Sequence, residues 1–227
     1  NTEELSRILN DINLTTPVSG NKINIYCEDE RAISFLKHVL TNALSVNLDL
    51  FMEFIDIDLG WTNYIQLVEK RIPEFRNNII VLDGDVPNKS EYIAKARIVN
   101  ESGNFLFLPL VIEKDIFELL KDHAAFLIFQ DSSSRIPGFN YDICFNNWPL
   151  ESEQYTTTDF KHWFVQTVTA LGDEDILFAF WCNENLNAVE EFVEQFVALF
   201  NVLAEKKEVD ALPSRNSTIA QDDVNNI

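Results

Sequence analysis

Apolar residues change their period repeatedly along this chain. INIY (23–26), MEFIDIDLG (52–60), IIVLD (79–83) and NFLFLPL (104–110) are short runs of uniform or alternating apolar character, the signature of β-strands. RAISFLKHVLTNAL follows the first, WTNYIQLVEKRIPEF the second and IEKDIFELLKDHAAFLIF the fourth, each with apolar residues three and four apart; these predict helices. Thr62 is the expected opening residue of the second helix. NKSEYIAKARIVNES, a more basic stretch, follows the third strand. Strands and helices that alternate in this way predict an α/β fold, a mainly parallel sheet flanked by helices. The unbroken apolar run IIVL fits a strand covered on both faces.

The same reading divides the chain. Leu5, Ile8, Leu9 and Ile12 predict a short helix before the breaker TTPVSGN, so 1–21 is a helix and connector. The α/β region spans 22–129. Residues 130–207 start as a loop containing SSSRIPGFNYD and continue as a helical extension through DFKHWFVQTVTALG and NAVEEFVEQFVALFNVLAEKK. Phe160, Trp163 and Phe164, and then Phe192, Phe196 and Phe200, recur at helical spacing; core packing is the expectation and a protein interface the alternative. From Glu208 the periodicity ends, predicting a mobile tail at 208–227.

Charge narrows the function. The formal net charge of −20 over 227 residues excludes a generally basic nucleic-acid coat, so any nucleic acid must be held by local cations, divalent metal or a partner. No run of 18 apolar residues occurs, and NTEELSRILNDINL lacks the basic and apolar regions of a secretion signal. Cys27, Cys144 and Cys182 form no CxxC pair and read as buried free thiols. A cytoplasmic protein with no membrane association is expected. The chain does not begin with Met, which leaves it open to being part of a longer polypeptide.

Chemistry gathers at the ends of the strands. Glu28 follows the first, Asp83 and Asp85 the third, and Glu113 the fourth; the carboxyl edge is where open α/β sheets bind ligands. Clustered carboxylates repel unless a cation lies among them, and hard oxygen donors favour Mg²⁺ or Mn²⁺. Each residue also has a plainer reading. DGD suits a turn completed by Pro87, and Glu28 and Glu113 suit helix-start charges. Lys89, Lys95 and Arg97 follow DGD closely enough to touch a nucleic-acid backbone, or they form a solvated basic face.

YCEDERA, IIVLDGDVP and LFLPLVIEKDIFELL together resemble the TOPRIM domain of the overcoming-lysogenization-defect (OLD) family of ATP-dependent nucleases, over roughly Lys22 to His123. That resemblance implies a Mg²⁺-dependent DNA endonuclease. Asp83, Asp85 and Glu113 would hold metal, Glu28 would bind metal or move a proton, and Lys161 would stabilise charge on the phosphate. It also implies a P-loop ATPase in the same polypeptide or an oligomeric complex, since no GxxxxGK[ST] loop occurs here, and a role in anti-phage defence. Ala32 departs from the pattern, standing where many OLD nucleases carry a second acid; a one-metal or conditionally active enzyme follows from that. Two other classes remain open. One is a non-catalytic acidic interaction module of an ATPase complex. The other is a haloacid-dehalogenase-like phosphatase, whose DxD nucleophile motif IIVLDGDVP approximates and whose later acids LGDEDILF resembles. That family opens with its motif, however, and here about 80 residues precede it, which also disfavours a receiver-type phosphoacceptor.

Overall fold

Ile23–Cys27 (β1), Met52–Ile55 (β2), Ile79–Leu82 (β3) and Phe105–Phe107 (β4) pair in parallel in the order β2-β1-β3-β4. This computed structural model describes residues 22–57, 59–132, 139–148 and 155–213; the helix expected at 2–12 lies outside them. Register is continuous across the sheet, with Ile25 beside Phe54 and Ile79, and Val81 beside Leu106. Side chains alternate between the faces. Ile23, Ile25, Cys27, Ile79, Val81 and Leu106 enter the larger of two hydrophobic clusters, and Tyr26, Ile80, Leu82 and Phe105 enter the smaller. β3 is therefore apolar on both sides, as its sequence requires.

Helices Glu30–Leu44 (α1), Trp61–Glu69 (α2), Pro73–Arg76 (α3) and Ala96–Ser102 (α4) link the strands. α1 joins β1 to β2 and buries Phe35, Leu36, Val39 and Leu40 in the larger cluster. α4 joins β3 to β4 on the opposite face, where Val99 enters the smaller cluster. The chain thus leaves β1 and β3 in opposite directions on opposite faces, which keeps parallel crossovers of one hand. Between the carboxyl ends of these two central strands the strand order reverses, and a crevice opens there in α/β sheets.

Ile112–Lys121 (α5), His123–Ser132 (α6), Tyr141–Phe145 (α7), Thr157–Leu171 (α8), Asp175–Glu184 (α9) and Leu186–Lys207 (α10) complete the fold. The carboxy-terminal helices share the core of the sheet. Trp163 and Phe164 of α8, Phe178 and Trp181 of α9, and Phe192, Phe196 and Phe200 of α10 belong to the same cluster as α1. Edge-to-face contacts such as Phe35 with Phe178 (5.3 Å) and Phe117 with Trp163 (5.0 Å) knit them together. Each such ring, fully buried, contributes roughly 2–3 kcal/mol. No described helix is long and apolar enough to cross a membrane.

Local chemistry overrides periodicity in five places. α2 starts at Trp61 behind Gly60, so Thr62 is not its cap; a carboxylate from β1's end accepts the Trp61 N–H instead. The helix expected to run on through Phe75 breaks at Arg71, which has φ +59°, and restarts at Pro73. The helix after β4 breaks at Asp122, whose Oδ1 accepts the Ala125 N–H at 2.9 Å and opens a second helix. Within 130–158, α7 forms because the Asn140 side chain accepts the Ile143 N–H. The expected tail is anchored at its start: Leu212 is buried and exchanges hydrogen bonds with Asn201.

Candidate functional site

Asp83 and Asp85 leave β3 in a tight turn, with the Val86 N–H donated to the Asp83 carbonyl at 3.1 Å. Gly84 is obligatory there. Its N–H bonds the Leu110 carbonyl at 3.2 Å, and a Cβ would lie 2.6 Å from the carbonyl oxygens of Leu108 and Leu110. DGD and the LPL that follows β4 are thus one unit: the second crosses over the first so closely that only glycine fits.

Glu28 locks this turn to β1. Its Oε1 accepts the Asp83 N–H at 3.0 Å and its Oε2 accepts the Trp61 N–H at 3.2 Å. One carboxylate therefore ties together the ends of both central strands and the start of α2. Burial raises the Glu28 pKa, while the two backbone hydrogen bonds oppose the rise. Asp83 has no such relief. Burial, followed by the charges of Glu28, Asp29, Asp85 and Glu113, pushes its carboxyl up to about 7.

Cations stand among these acids. Arg31 Nη1 lies 2.5 Å from Glu113 Oε1, and the guanidinium covers the Phe164 ring at 4.5 Å. Lys89 Nζ is 2.8 Å from Asp85 Oδ1, though that oxygen takes part in no well-directed hydrogen bond. Lys161 Nζ is 3.5 Å from Asp29 Oδ2, while the other Asp29 oxygen caps α1 through the Ala32 N–H. Among the described residues, no three Asp, Glu, His or Cys side chains close on one point as a finished metal shell. Glu113 and Asp85 face cations instead, and both Glu28 oxygens face backbone.

A cavity of about 590 Å³ opens on this edge. Asp83, Asp85 and Glu113 line it, with Lys89, Lys114, Lys121 and Lys161, and with Tyr155 and Phe160 on one wall. Five of the residues singled out from sequence therefore meet in one place: Asp83, Asp85, Glu113, Lys89 and Lys161. Glu28 lies behind them, bonded to Asp83. Lys95 and Arg97 do not line the cavity; Lys95 precedes α4, and Arg97 is exposed beside Glu101 on the same helix. Arg31, Lys114, Lys121, Tyr155 and Phe160 were not readable as site residues. Arg31 follows Glu28 by three positions and only the fold brings it to Glu113, and Phe160 looked like core. Asp173, Glu174 and Asp175, the acids of LGDEDILF, open α9 and line a different cavity beside α1.

The chain matches none of the protein-family models, none of the curated proteins and none of the solved structures with which it was compared. What the fold and site define is an α/β protein with a four-stranded, all-parallel, helix-flanked sheet and an acid cluster where its strand order reverses.

Proposed function

We propose that this chain is a TOPRIM-type, metal-dependent DNA endonuclease similar to the OLD nucleases. One observation carries the reading: Asp83, an acid raised to about 7 by burial and four acidic neighbours, opens on a lysine-lined cavity at the reversal point of the sheet. Excess negative charge on hard oxygens fits a divalent cation. Mg²⁺ or Mn²⁺, when bound, supplies neutralising charge and polarises the phosphodiester and its attacking water.

The chain's own residues do the rest. Asp83 and Asp85 line the cavity and would hold the metal, Asp85 on leaving Lys89, and Glu113 would join them on leaving Arg31. Glu28 is a positioning residue whose two backbone hydrogen bonds hold Asp83 at the ends of the central strands. Lys161, Lys114 and Lys121 face the phosphate, where a fixed positive charge favours the transition state. By the same resemblance the chain acts in the cytoplasm with a P-loop ATPase, in an oligomeric complex and in anti-phage defence. The phosphatase alternative loses its second acid set, because Asp173, Glu174 and Asp175 line another cavity.

Incubation with supercoiled plasmid and Mg²⁺, with the ATPase partner where one is found, tests the reading. Cleavage is expected to stop with EDTA and in Asp83→Asn. Cleavage that persists in Asp83→Asn rejects the site. Intact DNA beside rapid hydrolysis of a phosphomonoester rejects the nuclease in favour of a phosphatase. An uncut plasmid with every metal, alongside stable binding to the ATPase, leaves the interaction module.

A further inference from the structure

We infer that the cavity takes an unpaired nucleotide, so that the strand engaged is single-stranded DNA or a nucleotide turned out of a duplex. This rests on the nuclease reading for the kind of ligand, and on the cavity wall for its state.

The wall is aromatic and braced. Tyr155 and Phe160 are half-buried, their ring centroids 5.9 Å apart, and each lies 5.3 Å from Phe117. Phe117 is 1% exposed and wedged against Trp163 and Phe145. The two lining rings therefore cannot fall back into the core, and they present apolar surface beside Asp83 and Asp85. A duplex offers phosphates to the lysines but keeps its base faces stacked inside, leaving this wall bare against water. An unpaired nucleotide fills both parts, with phosphate toward the lysines and base against a ring. The volume of about 590 Å³ lies within the range of roughly 300–1,000 Å³ that encloses a single small ligand.

Charge points the same way. Lys89 faces Asp85, Lys121 pairs with Glu118 and Lys161 faces Asp29, so the lysines are partly neutralised in a chain of net charge −20. Phosphate attraction alone is weak under those conditions. Stacking does not depend on net charge, and here it carries the larger share of recognition.

The test is fluorescence anisotropy on the full chain in EDTA, using a labelled single strand and the same strand annealed to its complement. The single strand is expected to bind about tenfold more tightly. Phe160→Leu, which keeps apolar contact with Phe117, and Tyr155→Leu are each expected to remove most of that preference, whereas Lys114→Ala weakens both ligands alike. Equal affinity for the two ligands overturns the inference, as does a preference unchanged in Tyr155→Leu; that variant decides alone if Phe160→Leu melts early. A retained preference without Mg²⁺-dependent cleavage rejects the nuclease reading and leaves the nucleotide site. Cleavage with no preference rejects only the nucleotide site.

Discussion

At the amino-terminal end of β3, Asn78 is 2% exposed and fully engaged; at the carboxyl end, five residues on, Asp83 is crowded by acids and open to a cavity. Asn78 Oδ1 accepts from the Asn24 N–H at 2.9 Å and from Lys207 Nζ at 2.6 Å, and its Nδ2 donates to the Glu74 carbonyl at 2.6 Å. Asn104 Nδ2 bonds the carbonyls of Phe75 and Asn78, and Tyr26 donates to Glu74. Among the buried side-chain nitrogen and oxygen atoms of this network in the described residues, only Asn104 Oδ1 lacks a hydrogen-bond partner. Burial lowers the Lys207 pKa, opposed by the nearby Glu74 charge. One end of the strand spends polar groups on holding α3, β1, β4 and α10 together; the other keeps charge unsatisfied. Unpaired charge at a buried position is costly, and its presence beside Asp83 is what supports placing the proposed site at that end.

Substitutions at the two ends should therefore fail in opposite ways. Asp83→Asn is expected to lower DNA cleavage by roughly a thousandfold, as loss of a principal catalytic group does. The same change leaves the melting temperature at pH 8 equal to or above that of the unaltered chain, because it removes a repelled charge. Asn78→Ala is expected to lose about 3 kcal/mol of stability in urea unfolding, since Lys207, Asn24 and Glu74 are left without their partner. Its cleavage per folded molecule should match the original. A destabilised Asp83→Asn, or a stable Asn78→Ala, would erase the distinction.

The β–α alternation, the apolar β3 and the strand-end acids were readable because period and position carry them directly. Glu28 was readable as an acid but not as the residue that caps α2 across the sheet, since that role depends on a strand order periodicity does not encode. Thr62 fits a local cap by sequence, but the start of α2 is held by the Glu28 carboxylate, 33 residues before Trp61. The Arg31–Glu113 pair spans 82 residues, and nothing in either segment signals the other. Helical spacing assigns the aromatic stripe of α8 to the core, where Trp163 and Phe164 are indeed buried. Phe160 sits one step around the helix, and only the packed structure shows it at a cavity.

Gly84→Ala sharpens the same contrast. Its Cβ would meet two backbone oxygens at 2.6 Å, and backbone cannot yield as a flexible side chain does. A loss of about 2 kcal/mol is expected in urea unfolding, with cleavage reduced further than stability because Asp83 and Asp85 move together. A variant with normal stability and normal cleavage would show that DGD and LPL are not one unit. Titration gives a smaller effect. Asp83 takes up a proton near pH 7 when folded and near 3.8 when unfolded, so between those values the folded state holds more protons. Stability should rise as pH falls from 8 toward about 4 and gain nothing further from Asp83 below that; Glu28, also raised, acts in the same direction. Melting at pH 8 and pH 6 checks the sign, and Asp83→Asn should flatten the difference. An identical slope in both proteins would remove Asp83 as its source.

Lys161→Ala carries the smallest expected change and separates working charge from structural charge most cleanly. Its side chain is 51% exposed, and its partner Asp29 lies 3.5 Å away on the rim, a surface pair worth about 0–1 kcal/mol at most. Asp29 keeps its cap on Ala32 without it, so α1 remains closed and the melting temperature should not move. Lys161 nevertheless lines the cavity of Asp83, and on the nuclease proposal its charge is set against phosphate there; turnover should fall about tenfold. Lys161→Arg should recover part of that loss, since charge rather than shape is what the position supplies. A fall in melting temperature with turnover intact would make Lys161 a structural residue like Lys207, and the two edges of the sheet would then differ less than their acids imply.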